Sequence, residues 1–224
     1  MLEINKIYQG DCLKLMEEIP DESIDLIVTD TPYGINHKNQ DWDKLDYDLL
    51  MQTFLPIAYN KLKEDRRLIT YLPKKQLYRC KELFKNYKFD IAIQLKNFAC
   101  YRQHLGYIDS WQPLLIIIKG KPAKHKKGGR NWFMINSNNT SKKNKNNPRN
   151  WHPAGKCVDA MKYLIEWCSN ENDLILDPFI GSGTTALACL QTKRNFIGIE
   201  IEPKYVEIAN KRINEFKKQL TLIK

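Results

Sequence analysis

The 224-residue chain predicts an α/β fold, a mostly parallel sheet flanked by helices. Three observations predict it. Short β-rich runs alternate with segments of helical periodicity along nearly the whole length. A glycine turn, D-P-F-I-G-S-G-T-T from Asp177 to Thr185, joins one such run to a helical segment. And two of the runs end on an aspartate, Asp30 and Asp177, followed by a loop rich in breakers. In open α/β sheets, ligands sit beyond the carboxyl ends of the strands.

Taken in order, Ile4 to Gln9 reads as a short strand closed by Gly10-Asp11. Cys12 to Ile19 has helical spacing (Leu13, Met16, Ile19) and stops at Pro20. Ser23 to Asp30 is a β-rich run of the length of a buried strand, ended by Thr31-Pro32-Tyr33-Gly34. Asp46 to Leu62 is helical, with Leu49, Leu50, Phe54, Ile57 and Ala58 on one face and Pro56 awkwardly inside. A strand over Arg67–Leu72, a helix over Lys75–Tyr87, and strands over Asp90–Leu95 and Leu114–Ile118 follow. Lys156 to Cys168 is an amphipathic helix through Val158, Met161, Leu164, Ile165 and Trp167. The chain ends as strand Asp173–Asp177, helix Thr184–Gln191, strand Asn195–Ile199 and helix Lys204–Lys218.

A length of 224 residues with 42% hydrophobic content fits one domain, residues 1–224, better than two. No apolar run approaches the ~20 residues of a membrane span, and Met1 to Gly10 lacks a signal layout. The expected location is therefore the cytoplasm. The six cysteines are scattered with no C-x-x-C pair, and no H-E-x-x-H spacing occurs, so reduced thiols and no metal site are expected.

The formal net charge of +10 has an address. Lys119 to Asn150 holds ten Lys or Arg and no acid, which leaves 26 basic against 26 acidic residues elsewhere. This basic segment, at about 119–150, reads either as a solvated loop or as a footprint for a phosphate backbone. Its candidate nucleic-acid contacts are Arg130, Lys142, Lys143, Lys145 and Arg149, beside Trp132.

The glycine turn places Gly181 and Gly183 where the backbone must turn sharply and come close to a ligand. Behind it, a helix N-terminus offers unpaired N–H groups to an anion. Without G-K-[ST] it is not a nucleoside triphosphate loop, and it is not G-x-G-x-x-G. Glu200 ends the next strand about twenty residues on, where an acid commonly accepts from ribose hydroxyls. Asp30-Thr31-Pro32-Tyr33 delivers a carboxylate, a carbonyl and an aromatic ring into one loop. An exocyclic amine on a nucleobase attacks poorly because its lone pair is delocalised into the ring. The Asp30 carboxylate and the Thr31 carbonyl would accept its two hydrogens and favour the charge that develops during attack. Tyr33 would stack on a base taken out of the duplex.

D-T-P-Y ahead of D-P-F-I-G-S-G-T-T resembles the β-group of S-adenosylmethionine-dependent DNA amino-methyltransferases, the N6-adenine/N4-cytosine family. The likeness extends to Gly10-Asp11-Cys12, to W-H-P-A-G-K (Trp151 to Lys156) and to G-I-E-I-E-P-K-Y-V-E-I-A (Gly198 to Ala209). The resemblance implies a Rossmann-like mixed sheet of seven strands in permuted order. It also implies S-adenosylmethionine as cofactor, with Phe179, Gly181, Gly183 and Thr184 at its methionine end and Asp177 near its amino group. Glu200 would take the ribose, Asp11 and Cys12 the adenine edge, and Lys156 the cofactor carboxylate, although Cys157 stands where the family has proline. Thr31 replaces the first proline of D-P-P-Y, removing one ring's rigidity.

The expected activity is methylation of adenine N6 in double-stranded DNA, because an Asp at the head of this motif leans toward adenine. Cytosine-N4 methylation and a non-catalytic nucleic-acid-binding relic stay open as alternatives. A homodimer and a companion restriction endonuclease are further expectations of the resemblance.

Overall fold

The structure, a computed structural model, describes residues 2–34, 45–102, 107–122, 130–135 and 155–222. Its elements are β1 (Lys6–Gln9), α1 (Cys12–Glu17), β2 (Ile24–Thr29), α2 (Tyr47–Lys61) and β3 (Leu62–Tyr71). After a 3-10 turn (Lys74–Arg79) come α3 (Cys80–Leu83), β4 (Lys88–Arg102), β5 (Tyr107–Ile118) and β6 (Trp132–Ile135). The chain closes with α4 (Val158–Cys168), β7 (Leu174–Asp177), α5 (Thr184–Gln191), β8 (Asn195–Glu200) and α6 (Pro203–Leu222).

Among the described residues, eight strands form one sheet in the order β1-β8-β7-β2-β3-β5-β4-β6. Of these, only β5 runs against its neighbours, pairing antiparallel with β3 and with β4. The α/β class, the mixed sheet and the permuted order agree with the sequence reading. The strand count does not. Seven were expected, and the eighth is β6, a four-residue edge strand parallel to β4 inside the Lys/Asn-rich segment. Trp132-Phe133-Met134-Ile135 is too short for a periodicity signal, yet Phe133 is buried and stacks on Tyr163 of α4, with centroids 4.4 Å apart.

Alternation on the strands separates two cores. Leu68, Leu115, Ile117, Leu176 and Ile197 face the side covered by α1, α2 and α3. Leu26, Val28, Ile69, Leu114, Ile116, Ile175 and Phe196 face α4 and α5. Every residue of β2 is buried, as expected of a central parallel strand covered on both faces. Each fully buried Leu or Ile contributes about 1.5–3 kcal/mol relative to exposure, so these two faces dominate the fold's stability.

Of two helical readings, one holds and one changes. Pro56 is tolerated inside α2 because it lies on the exposed face, where water can take the carbonyl it leaves unbonded. Lys75 to Tyr87, expected as one helix, is instead a 3-10 turn followed by the single turn α3. There Gln76 is buried and donates to Asp48 Oδ1 at 3.0 Å, and Arg79 reaches Asp48 Oδ2 at 2.7 Å. The chain tightens around that anchor.

The parallel register brings several chain turns to one edge. Thr29 is level with Thr70, Ile27 with Leu176, Asp177 with Gly198, and Gln9 with Glu200. The strand ends at Gln9, Thr29, Tyr71, Asp177 and Glu200 therefore share the carboxyl edge of the sheet. The antiparallel β5 enters its pairing at that edge, with Leu114 opposite Tyr71.

Candidate active site

At this edge the glycine loop is built around Asp177. Its carboxylate is buried and fully engaged by the chain: Oδ1 accepts from the Thr29 hydroxyl at 2.6 Å and from the Phe179 N–H at 3.1 Å, and Oδ2 accepts from the Thr185 hydroxyl at 2.5 Å. Burial raises its pKa to about 6, against the pull of those three donors. The expected contact with a cofactor amino group therefore has to share a carboxylate whose first duty is to hold the loop on β2 and α5.

Gly181 (φ 55°) and Gly183 (φ 82°) both occupy the left-handed region that glycine alone adopts without strain. Gly181 donates its N–H to Glu200 Oε2 at 2.9 Å. At Gly183, a Cβ would come within 2.8 Å of Ala209 Cβ on α6. The sequence reading gave both glycines to a sharp turn and to ligand approach. At Gly183 a helix is also a close neighbour. Thr184, buried at the first position of α5, and half-buried Phe179, edge-on to Phe54 at 5.4 Å, complete the loop.

Glu200 is buried at the end of β8, and its Oε1 accepts from the Glu202 N–H at 2.8 Å. Burial pushes its pKa up, and each carboxylate oxygen keeps a lone pair beyond its backbone bond. Gly10 N–H donates to the Glu200 carbonyl at 2.9 Å, which seats Asp11 and Cys12 beside it. Asp11 is exposed and caps α1 through the Leu13 N–H at 2.8 Å. The Cys12 thiol is buried and pushed up to about 12 by that burial, so it acts as an apolar wall. Backbone turns, a rimming acid and an apolar wall are a donor set that fits a nucleoside with a charged tail.

The second half of the edge is the Asp30 loop, one residue from Thr29 and hence joined to Asp177. The Asp30 carboxylate is held at both oxygens: Tyr33 Oη donates to Oδ1 at 3.0 Å, and Lys156 Nζ stands 2.6 Å from Oδ2. Both partners of that ion pair keep 18% of their side-chain exposure, so the carboxylate is screened without being sealed. Gln112 of β5 donates to Tyr33 Oη at 2.5 Å. Burial, then the Asp30 charge, pushes the Tyr33 phenol well above its usual range. Lys156 also lies 4.4 Å over the Tyr71 ring and 5.8 Å over Tyr33. Pro32 is half-buried, and the Thr31 side chain is buried with its hydroxyl 3.5 Å from that of Thr70. That packing against β3 restores some of the rigidity the missing proline ring would supply.

Of the residues singled out from sequence, the structure thus brings together Asp30 to Tyr33, Asp177, Phe179, Gly181, Gly183, Thr184, Glu200, Asp11, Cys12 and Lys156. Lys156 meets the Asp30 carboxylate. Three contributors were missed. Tyr71 was hidden in an apolar run, Gln112 lies in the part of β5 ahead of the run read as strand, and Arg212 of α6 is buried and donates to the Ser182 carbonyl and hydroxyl inside the glycine loop. A lone arginine on an apolar helix face (Ala209, Ile213) was the available signal.

The basic segment divides. Lys119 is buried at the opposite edge, where it pairs with Glu22 at 3.2 Å and donates to the Leu62 carbonyl at 2.8 Å. It is a structural ion and no part of a grip. Arg130 is exposed, 5.1 Å from the Trp132 ring centroid. Lys142, Lys143, Lys145 and Arg149 lie outside the described residues, as does most of W-H-P-A-G-K. Among the described residues, no helix is long and apolar enough to cross a membrane, and no cluster of three His, Cys, Asp or Glu could hold a metal ion.

Comparison with known proteins agrees with this geometry. The DNA methylase family model matches residues 24–211. Type II methyltransferase M1.MboII of Moraxella bovis is 29% identical over 261 residues, covering 96% of this chain and 98% of its own. Type II methyltransferase M.HinfI of Haemophilus influenzae is 26% identical over 249 residues, with 96% and 69% covered. The crystal structure of the M1.HpyAVI–SAM complex superposes with a TM-score of 0.70 at 27% identity, covering 93% of this chain and 98% of that one. The cytosine-N4-specific PvuII DNA methyltransferase shares the fold at a TM-score of 0.71 and 21% identity, with 91% and 84% covered. With the family matched across both motif loops, the chain belongs to the DNA methylase family, the S-adenosylmethionine-dependent amino-methyltransferases of the N6-adenine/N4-cytosine class.

Proposed function

We propose that this protein methylates N6 of adenine in double-stranded DNA, with S-adenosylmethionine as methyl donor. The observation that carries the reading is the Asp30 carboxylate, fixed at the carboxyl edge by Tyr33 and Lys156 and tied through Thr29 to the glycine loop. An aspartate at the head of the motif is the feature that favours adenine.

The cofactor supplies an activated methyl group on a sulfonium. Everything else falls to the chain. Glu200, with Asp11 and Cys12 beside it, is placed to receive the nucleoside half, and the Gly181–Gly183 loop and Thr184 the amino-acid half. Asp30 retains one free lone pair on each oxygen after its two bonds, so it can accept a hydrogen of the target amine while staying oriented. A second hydrogen goes to the Thr31 carbonyl. Drawing electron density onto the amine nitrogen as positive charge develops there is differential stabilisation of the transition state. The amine can lose its extra proton after transfer, so no general base is needed beforehand. The Tyr33 ring offers the stacking face.

The chain reads as one catalytic body carrying a basic segment at about 119–150. Arg130 precedes β6, which ends at Ile135 paired with Lys96, and Lys156 lies against Asp30. In the sequence, Lys142, Lys143, Lys145 and Arg149 lie between these two positions at the active edge, which supports reading them as phosphate contacts. A restriction endonuclease partner is proposed from the type II methyltransferases among the relatives, and a homodimer from the family resemblance.

The test is incubation with labelled S-adenosylmethionine and mixed-sequence DNA, followed by nucleoside mass spectrometry. N6-methyladenine is expected. N4-methylcytosine would transfer the same geometry to cytosine, and no methylated nucleoside would leave a binding relic.

A further inference from the structure

Beyond the Asp30 pocket and the 119–150 segment, a second positively charged surface borders the same edge. Between Lys74 and Lys88 the chain carries six Lys or Arg against one acid, Glu82. The stretch runs from this edge to the opposite one, where Lys88 lies across from Ile118, so Lys74, Lys75 and Arg79 are its cations at the active edge. The charge arithmetic over the whole chain hides it, because acids elsewhere compensate. Its first part is the 3-10 turn that follows β3, and β3 ends at Tyr71 on the active edge. Lys75, Tyr78 and Arg79 are exposed there, Tyr78 at 93%. Lys74 Nζ lies 4.1 Å over the ring of Trp111, the residue before Gln112, and Gln112 bonds Tyr33 in the pocket. The turn is held rigidly: Gln76 and Arg79 are both tied to Asp48 at the start of α2. Beyond Trp111, the β4–β5 hairpin continues outward past the last β3 pairing to Arg102 opposite Tyr107.

We propose that the turn Lys74–Arg79, with Trp111, is a docking surface for the DNA duplex next to the extruded base. The proposal rests on the DNA reading above and deepens it. A base can reach Asp30 only if the duplex lies across the carboxyl edge, and this turn forms the wall of that edge on the β3–β5 side. Lysines meet phosphates there. Tyr78, a large ring left almost wholly in water on a rigid turn, supplies a stacking face for a base exposed beside the extruded one. Arg79, already committed to Asp48, fixes the platform.

The experiment compares the full-length wild type with Lys74→Gln/Lys75→Gln and with Tyr78→Ala. Binding to a methylatable duplex is measured by fluorescence anisotropy across a salt series. The two-lysine variant is expected to bind about tenfold more weakly at low salt, and its log–log salt slope to be shallower by ~1–2, close to one per lost phosphate contact. Tyr78→Ala is expected to lower affinity about tenfold with the slope unchanged. All three positions lie on the surface turn, so melting temperature and S-adenosylmethionine affinity should match wild type and exclude misfolding. Lys217→Gln/Lys218→Gln, on exposed positions near the far end of α6, is the control for bulk charge. An unchanged slope and affinity in the two-lysine variant, or an equal effect in the control, overturns the surface while wild-type methylation stands. A wild type that methylates no DNA overturns the functional reading instead.

Discussion

Lys156 and Asp30 are 126 positions apart in the chain, and their charged groups are 2.6 Å apart in the fold. The contact joins the end of β2 to the residues just before α4. It gives Asp30 a cation on one oxygen while Tyr33 holds the other. The resemblance assigned Lys156 to a cofactor carboxylate. In the structure its ammonium pairs with Asp30, at the head of the proposed methyl-acceptor site.

The two duties separate in Lys156→Met, which keeps the stem and removes the charge. Without its counter-ion, Asp30 loses a charge-assisted bond and its fixed orientation. Turnover should fall at least tenfold, while the affinity for S-adenosylmethionine, measured by calorimetry, moves less than threefold. A tenfold loss of cofactor affinity would return Lys156 to the cofactor's carboxylate.

Tyr33 carries two functions that substitution can split. Its phenol stays protonated through the working range, since burial and Asp30 both oppose ionisation. Tyr33→Phe keeps the ring and deletes the donor to Asp30, so a loss of about tenfold in kcat is expected with little change in KM for DNA. Tyr33→Ala removes the stacking face too and should lose a further tenfold or more. Gln112→Leu, which only unfastens the phenol, should resemble a weaker Tyr33→Phe. Equal losses in all three variants would refute the division.

How much of this was legible in sequence follows from range. The strands and the two loops were readable because β-branched runs, breakers and glycines act locally, and Thr184–Gln191 was placed to the residue. Strand β6 was not, because four residues in a Lys/Asn-rich stretch acquire strand structure only by pairing with β4. Gln112 on Tyr33, Lys156 on Asp30 and Arg212 on Ser182 are likewise contacts between distant parts of the chain. No local pattern encodes them. Gly183 was singled out for the right reason, its turn, but its neighbour Ala209 lies 26 positions away.

Asp177 makes stability depend on pH with a definite sign. Unfolded, its carboxyl loses its proton near pH 3.8; folded, near 6. Between those values the folded state binds the extra proton, so stability falls as pH rises from about 4 to 6 and stays lower above. The cost is on the order of 3 kcal/mol from a shift of about two units. Asp177→Asn removes it. The amide oxygen can accept from Thr29 and Phe179, and the amide nitrogen can donate to a reoriented Thr185 hydroxyl. Thermal unfolding should show a flatter profile from pH 4 to 6 and no loss of melting temperature at pH 7. If the carboxylate also meets the cofactor's amino group, S-adenosylmethionine affinity should drop at least tenfold in the same variant.

Gly183→Ala tests whether the second loop glycine is there for its conformation or its neighbour. A residue with a Cβ at φ 82° costs about 1–2 kcal/mol in backbone strain. The added methyl would also come within 2.8 Å of Ala209 Cβ, an overpacking that typically costs 1–3 kcal/mol. Only the second cost can be relieved from α6. Ala209→Gly makes room, though glycine within a helix itself costs about 1 kcal/mol. The double variant should therefore be less destabilised than the sum of the singles by about 1–3 kcal/mol in denaturant unfolding, a coupling expected only of sites in contact. Additive effects would mean that strain alone dictates glycine at 183 and that α6 yields without cost. A coupling of that size would show that the glycine loop is positioned by the helix behind it, through Ala209.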